Sequence, residues 1–280
     1  MNDRSEVMEL STPSGSPRRP VVRWHGGKWI LAPWVISYFP EHRVYVEPFG
    51  GGGSVLMRKD RSYAEVYNDL DDEIVNLFRV VRDNGRELIE KLELTPFSRV
   101  DFKESYESTN HPIEQARRTV ARSYMGFGSN AHNKKTGFRC NSNRSGTTPA
   151  HDWRNYPKAV TAMVERLRGV VIENRCALEV MKHQDTKETL HYVDPPYVPE
   201  TRDAGGDYRH EMTVEDHKQM AEVLNGLDGM IVLSGYRSKL YDELFAGWKR
   251  VERRALADGA KERTECLWLR NVKEAQASLW

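Results

Sequence analysis

Asp194-Pro195-Pro196-Tyr197 is the segment of this 280-residue chain whose residue types bear most directly on chemistry. Two successive prolines fix the backbone, withhold two N–H donors and leave carbonyl oxygens free. A carboxylate and an aromatic ring are thus held rigidly after the apolar run Leu190 to Val193, at the sheet edge where α/β folds place ligands. A stiff strand-to-loop turn is the alternative use of the same residues. A second constellation lies upstream. Val44-Tyr45-Val46 is followed by Glu47-Pro48-Phe49-Gly50-Gly51-Gly52-Gly53-Ser54. Glycines there let the backbone bend sharply and let a ligand approach the strand end closely. Asp69 follows the next apolar run, about twenty residues on, where an acid can accept both hydroxyls of a ribose. The pair predicts a nucleoside-containing cofactor, with a glycine-rich surface turn and a solvated aspartate as the alternative. A phosphate-binding loop is not expected, because neither the glycine run nor Gly26-Gly27-Lys28 is closed by Lys-Ser or Lys-Thr. Gly50-x-Gly52-x-x-Val55 lacks the third glycine of a dinucleotide fingerprint.

The elements that must position these residues read as an alternation of strands and helices. Val44 to Val46, Tyr63 to Tyr67, Val170 to Ile172, Leu190 to Val193 and Met230 to Leu233 are short apolar runs bounded by turn residues. Asp72 to Arg82 carries Ile74, Val75, Leu77, Phe78 and Val81 on one broad helical face. Thr213 and Asp216 form a helix-starting pair for a segment that Asn225-Gly226 stops. Such alternation predicts an α/β fold with a mostly parallel sheet. Val251 to Ala255 and Thr264 to Leu269 flank a loop, Leu256 to Arg263, and read as an edge hairpin. Ser234-Gly235-Tyr236 reads as a strand-end turn or a pocket wall. His191, His210 and His217 have no metal-ligand spacing, and no metal is expected.

The middle of the chain breaks this rhythm. Residues 85–166 are helical at both ends, with Ile113 to Met125 one clear helix, while Gly126 to Trp153 is nearly free of aliphatics. From Ile113 to Lys158 there are nine Lys or Arg residues against two acids, although the whole chain has a net charge of only +1. A polar, basic loop of this length inside a domain is functional or disordered. The overall charge excludes a uniformly basic polymer binder but not a local basic face. Three widely spaced cysteines, Cys140, Cys176 and Cys266, allow no disulfide framework and no Cys-x-x-Cys zinc site, so a reducing cytoplasm is the expected setting. No apolar run is long enough to cross a bilayer, and the N-terminal twenty residues read as a disordered tail rather than a signal peptide.

The chain resembles the Dam-type (D12 class) N6-adenine DNA methyltransferases. The resemblance runs from Arg23 to about Asn271 and is carried, in order, by Arg23-Trp24-His25-Gly26-Gly27-Lys28, Val46-Glu47-Pro48-Phe49-Gly50-Gly51-Gly52-Gly53-Ser54, Asn68-Asp69 and Asp194-Pro195-Pro196-Tyr197. It implies a Rossmann-like S-adenosylmethionine-dependent sheet formed by residues 21–84 and 167–280. A mainly helical target-recognition insertion is expected over residues 85–166. It also implies cofactor contacts from Trp24, Lys28, Glu47, Phe49, Gly50, Gly52, Asp69 and Asp194. Asp194, the Pro195 carbonyl and Tyr197 would act on the target adenine, the first two as acceptors for its amine and the ring as a stacking surface. Cys176 stands where the family often has an acid contacting the cofactor adenine, which departs from the pattern because a thiol hydrogen-bonds weakly.

Double-stranded DNA is the implied partner. Asn130, Lys134, Lys135, Arg139, Asn141, Asn143 and Arg144 are the candidates for phosphate and base contacts. The competing readings are an N4-cytosine methyltransferase, in which Ser more often replaces the aspartate, and a noncatalytic DNA-binding protein, which would need neither Asp69 nor Asp194. The DNA sequence read, a restriction-modification partner and the oligomeric state, a monomer included, are left open.

Overall fold

The computed structural model describes residues 17–131, 134–141, 146–202, 208–256 and 262–272. Asn143 and Arg144, two of the expected DNA contacts, lie outside them. Among the described residues, seven strands form one sheet: β1 (Val44–Glu47), β2 (Ala64–Asn68), β3 (Val170–Glu173), β4 (Thr189–Val193), β5 (Met230–Tyr236), β6 (Lys249–Leu256) and β7 (Glu262–Arg270). Their spatial order is β3-β2-β1-β4-β5-β7-β6. β1 to β5 pair in parallel, and β7 pairs antiparallel with both β5 and β6. The expected α/β class and the edge hairpin are both present. All five residues of β4 are buried, as a central parallel strand covered on both faces requires.

Period-two alternation sends side chains to two apolar layers. Tyr45, Tyr67, Leu190, Tyr192 and Val232 pack on one face with α1 (Ala32–Ile36), α2 (Ser54–Arg58), α3 (Asp72–Glu93), α5 (Pro112–Met125) and α6 (Pro149–Leu167). Short α4 (Arg99–Glu104) adds Phe102 to that layer. Val193, Ile231, Leu233 and Trp268 pack on the other face with α7 (Ala177–Gln184), α8 (Val214–Gly226) and α9 (Lys239–Leu244). Among the described residues, the helices within 85–166 share the first layer with the strands and form no separate core.

Three local expectations shift. The helix from Asp72 continues to Glu93, through a non-helical Asn84. Gly85 then lets α6 approach, since a Cβ there would meet Val164 Cγ2 at 2.4 Å. Ser234-Gly235-Tyr236 is not a turn but the end of β5, held opposite Leu267, Cys266 and Glu265 by the antiparallel ladder. Residues 17–20, included in the expected tail, are packed. Arg19 Nη1 donates to the Asp152 carbonyl at 3.1 Å, and the Tyr124 hydroxyl donates to the Pro20 carbonyl at 2.9 Å. The rest of that tail, 1–16, lies outside the described residues.

Candidate active site

The chain leaves β1 toward β2 and β3 on one side, then returns as β4 on the other. β1 and β4 therefore flank the topological switch point, where the crevice beyond the strand carboxyl ends receives ligands in open α/β sheets. The glycine turn follows β1 and Asp194 follows β4, so two segments remote in sequence meet there.

The turn is built tightly. Gly51 and Gly53 have φ of 47° and 60°, the left-handed region that disfavours other residues. A Cβ on Gly50 would fall 2.2 Å from Tyr67 Cε2, and one on Gly51 would fall 2.5 Å from Trp24 Nε1. Asp69 pins the turn: one carboxylate oxygen accepts from Gly51 N at 2.7 Å and the other from Asp71 N at 2.8 Å. Burial pushes the Asp69 carboxyl up to about 6, against the pull of these two bonds. Each oxygen retains a lone pair for a further donor. Glu47, at the end of β1, accepts from the Tyr45 hydroxyl at 2.7 Å and from Leu56 N at 3.0 Å. Burial drives its carboxyl to about 8.

Two adjoining cavities open here. The smaller, about 40 Å³, is lined by Trp24, Lys28, Glu47, Phe49, Gly50, Gly52, Asp194 and Tyr208 among others. The larger, about 310 Å³, lies within the size range of small-ligand sites and is bounded by Phe49, Asp69, Leu70, Cys176, Leu178 and Asp194. Trp24, Phe49, Gly51, Asp194 and Tyr208 border both. Every expected cofactor residue thus lines one cavity or the other.

Pro195 and Tyr197 line neither. Pro195 is buried, and the Tyr197 hydroxyl donates to Glu265 and sits 3.3 Å from Ser234 Oγ. Lys28 Nζ lies 3.0 Å from Asp194 Oδ1, 3.8 Å from Glu265 Oε1 and 4.7 Å from the Tyr197 ring centroid. It also donates to the Gly26 carbonyl at 2.9 Å. Burial opposes the lysine charge, but Asp194 and Glu265 outweigh it and hold the ammonium above the ordinary lysine range. Lys28 is thus a partner of Asp194 as well as a cavity wall.

Three neighbours escaped the sequence reading. Glu265 enters from β7, Tyr208 borders both cavities, and Arg209 clasps Asp71 Oδ1 at 2.9 Å beside the larger one. An acid directly before the apolar run Cys266 to Leu269 was the available signal for Glu265. Nothing in sequence marks Tyr208 or Arg209, which sit in an aperiodic loop. Two of the three histidines do other work, His191 meeting Asp185 at 3.2 Å and His217 the Tyr241 hydroxyl at 3.1 Å, whereas His210 borders the larger cavity. Among the described residues no side-chain cluster could hold a metal.

The basic segment is less uniform than its count. Arg117 and Arg118 on α5 both pair with Glu114, which they hold down at about 2, and Arg122 pairs with Glu73. Lys134, Lys135 and Asn141 are exposed, whereas Asn130 and Arg139 are half-buried. Arg139 Nη1 donates to the Tyr124 carbonyl at 3.1 Å. A bridge between Gly126 and Phe138 ties the two sides of this loop together.

Comparison with known proteins agrees with the geometry. A family model described as D12 class N6 adenine-specific DNA methyltransferase matches residues 24–257. The Type II methyltransferase M1.LlaDCHI of Lactococcus lactis subsp. cremoris is 28% identical over 252 residues, which cover 81% of this chain and 84% of that protein. The DNA adenine methylase of Escherichia coli (strain K12) is 24% identical over 218 residues, 75% of this chain and 76% of its own. That of Haemophilus influenzae is 22% identical over 268 residues, 88% and 91% respectively.

Proposed function

The chain belongs to the D12 class N6 adenine-specific DNA methyltransferase family, and from that premise we propose how its residues divide the reaction. S-adenosylmethionine would occupy the larger cavity and the glycine cradle. The residues present fit it: Asp69 suits the ribose hydroxyls, and Phe49 and Leu178 offer apolar walls to a purine, while Lys28, its ammonium already engaged by Asp194, forms part of the wall of the smaller cavity. Cys176 borders the cavity without the strong acceptor that the family pattern has there, so the adenine ring is held mainly by those walls. When bound, the cofactor supplies an electrophilic methyl on a sulfonium that is already a good leaving group.

The protein's task is to prepare the nucleophile. An exocyclic adenine amine is weak because its lone pair is delocalised into the ring. In this reading the Asp194 carboxylate and the Pro195 carbonyl accept from the two amine hydrogens and draw that pair out of conjugation. Positive charge then builds on the nitrogen, and the fixed carboxylate stabilises it. Tyr197 stacks on the extruded base, at roughly 1–3 kcal/mol per base, which offsets part of the few kcal/mol that flipping costs. The 126–141 loop supplies phosphate and base contacts through Lys134, Lys135 and its polar neighbours. Residues 85–166 act as the recognition segment, fused to the catalytic core rather than separately folded.

One observation carries this reading: the cavity beside Asp69 is continuous with Asp194 at the β1/β4 switch point. The test is incubation with labelled S-adenosylmethionine and unmethylated duplex DNA, followed by nucleoside analysis. N6-methyladenine is expected. N4-methylcytosine would reassign the base, and no transfer with no cofactor binding would leave only a DNA-binding role.

A further inference from the structure

Glu265 is a carboxylate with 4% side-chain exposure that the methyl-transfer scheme does not use. It arrives from β7, opposite Tyr236 of β5. It accepts from the Tyr197 hydroxyl and from Ser234 Oγ at 2.8 Å, and it stands 3.8 Å from Lys28 Nζ. Lys28 is anchored on its other side by the Gly26 carbonyl. Its ammonium is therefore shared, nearer Asp194 at 3.0 Å and within reach of Glu265 by a small displacement.

The ammonium stands in the way of the amine. Lys28 lies over the Tyr197 ring and against Asp194 Oδ1, so it takes the space on that ring face that a stacked adenine would need. The ammonium and a base on that face exclude each other. A buried ammonium cannot simply be expelled, because an unpaired buried charge is costly. It needs a second carboxylate to receive it, and Glu265 is the one in place.

We infer that Lys28 is an exchangeable counter-ion passed between Asp194 and Glu265, which makes Glu265 a positioning residue for methyl transfer. This rests on the proposed roles of Asp194 and Tyr197. With the base position empty, Lys28 neutralises Asp194. As the amine enters, Lys28 moves onto Glu265 and frees Asp194 to accept from it. No covalent bond changes in this exchange. Glu265 acts through Lys28 and Tyr197 and does not touch the base.

The test is a double-mutant cycle on single-turnover methylation at saturating S-adenosylmethionine, using Glu265→Gln, Lys28→Met and the double variant. Glu265→Gln removes the receiving charge while retaining a hydrogen-bonding amide. Its single-turnover rate is expected to fall roughly 10- to 100-fold, the scale set by removing one charge-assisted hydrogen bond, while the cofactor Kd changes little. In the Lys28→Met background the same substitution should have almost no further effect, because there is no ammonium to receive. Glu265→Asp should restore part of the rate, and it replaces Gln in the cycle if the amide variant does not fold. Equal losses from the Glu265 substitution with and without Lys28 would overturn the inference, since they would mean that Glu265 only braces Tyr197. A wild-type chain that fails to methylate adenine would instead sink the underlying function, so the two failures are distinguishable.

Discussion

Asp194 ends β4 as a carboxylate with 17% side-chain exposure paired with an ammonium, so removing it affects charge balance as well as hydrogen bonding. Asp194→Ala is expected to abolish methyl transfer, read as loss of labelled methyl in DNA, while S-adenosylmethionine still binds. Normal turnover would show that the amine acceptor lies elsewhere. Tyr197→Ala should chiefly weaken the productive DNA complex, raising KM more than it lowers kcat. A pure kcat loss would assign the ring to the chemical step. Glu47 gives a pH signature. Burial holds its carboxyl near 8, against an ordinary value of 4.5, so the folded chain retains a proton that the unfolded chain releases. The corresponding stability is complete below the ordinary value and is lost as pH rises toward 8. Glu47→Gln keeps a neutral side chain throughout. Its melting temperature relative to wild type should therefore climb between pH 5 and 8, at about 2–4 °C per kcal/mol for a chain of this size. A pH-independent difference would mean that Glu47 titrates normally.

At the level of elements, the glycine turn is the part with least slack. Gly50→Ala would drive a methyl into the Tyr67 ring, which is itself stacked on Phe78 at 4.2 Å between centroids. Overpacking of this kind costs about 1–3 kcal/mol, and the cradle would shift with it. A lower melting temperature and weaker S-adenosylmethionine binding by titration calorimetry are expected. A variant unchanged in both would show that the turn relaxes freely. Most elements were legible in sequence because short apolar runs and capping pairs are local signals: the Thr213/Asp216 pair does form a reciprocal cap on α8. Where the sequence misled, tertiary contact overrode local preference. Ser234 and Gly235 favour turns, yet pairing with β7 extends β5 through them. Gly85 looks like a boundary, yet it serves close helix packing. The site was legible where a motif marked it, at the glycine run and at Asp194. Glu265 was not, because its place beside Tyr197, 68 positions earlier, is set by hairpin register alone.

Across the whole molecule, a net charge of +1 conceals an uneven distribution. Arg117, Arg118 and Arg122 pair with neighbouring acids, and Lys134 and Lys135 are exposed on the central loop. Replacing both with Gln should weaken DNA binding and reduce the slope of log K against log salt by up to about 2, near 0.9 for each phosphate no longer neutralised. Replacing Arg117 and Arg118 should change that slope less. An unaltered slope in the first variant would move the DNA face to another surface. Among the described residues no helix is long and apolar enough to cross a membrane.

The strand order also governs when catalytic competence arises during synthesis. β1 and its glycine turn precede Asp194 by well over a hundred residues, and β7 is the last of the described strands to emerge. A nascent polypeptide halted before Glu262 would carry both recognisable motifs yet lack the carboxylate beneath Lys28 and Tyr197. Non-local pairing of this kind is slow to form, and here the last described strand completes it. In such a polypeptide Asp194 would be the one carboxylate of the two present to face Lys28.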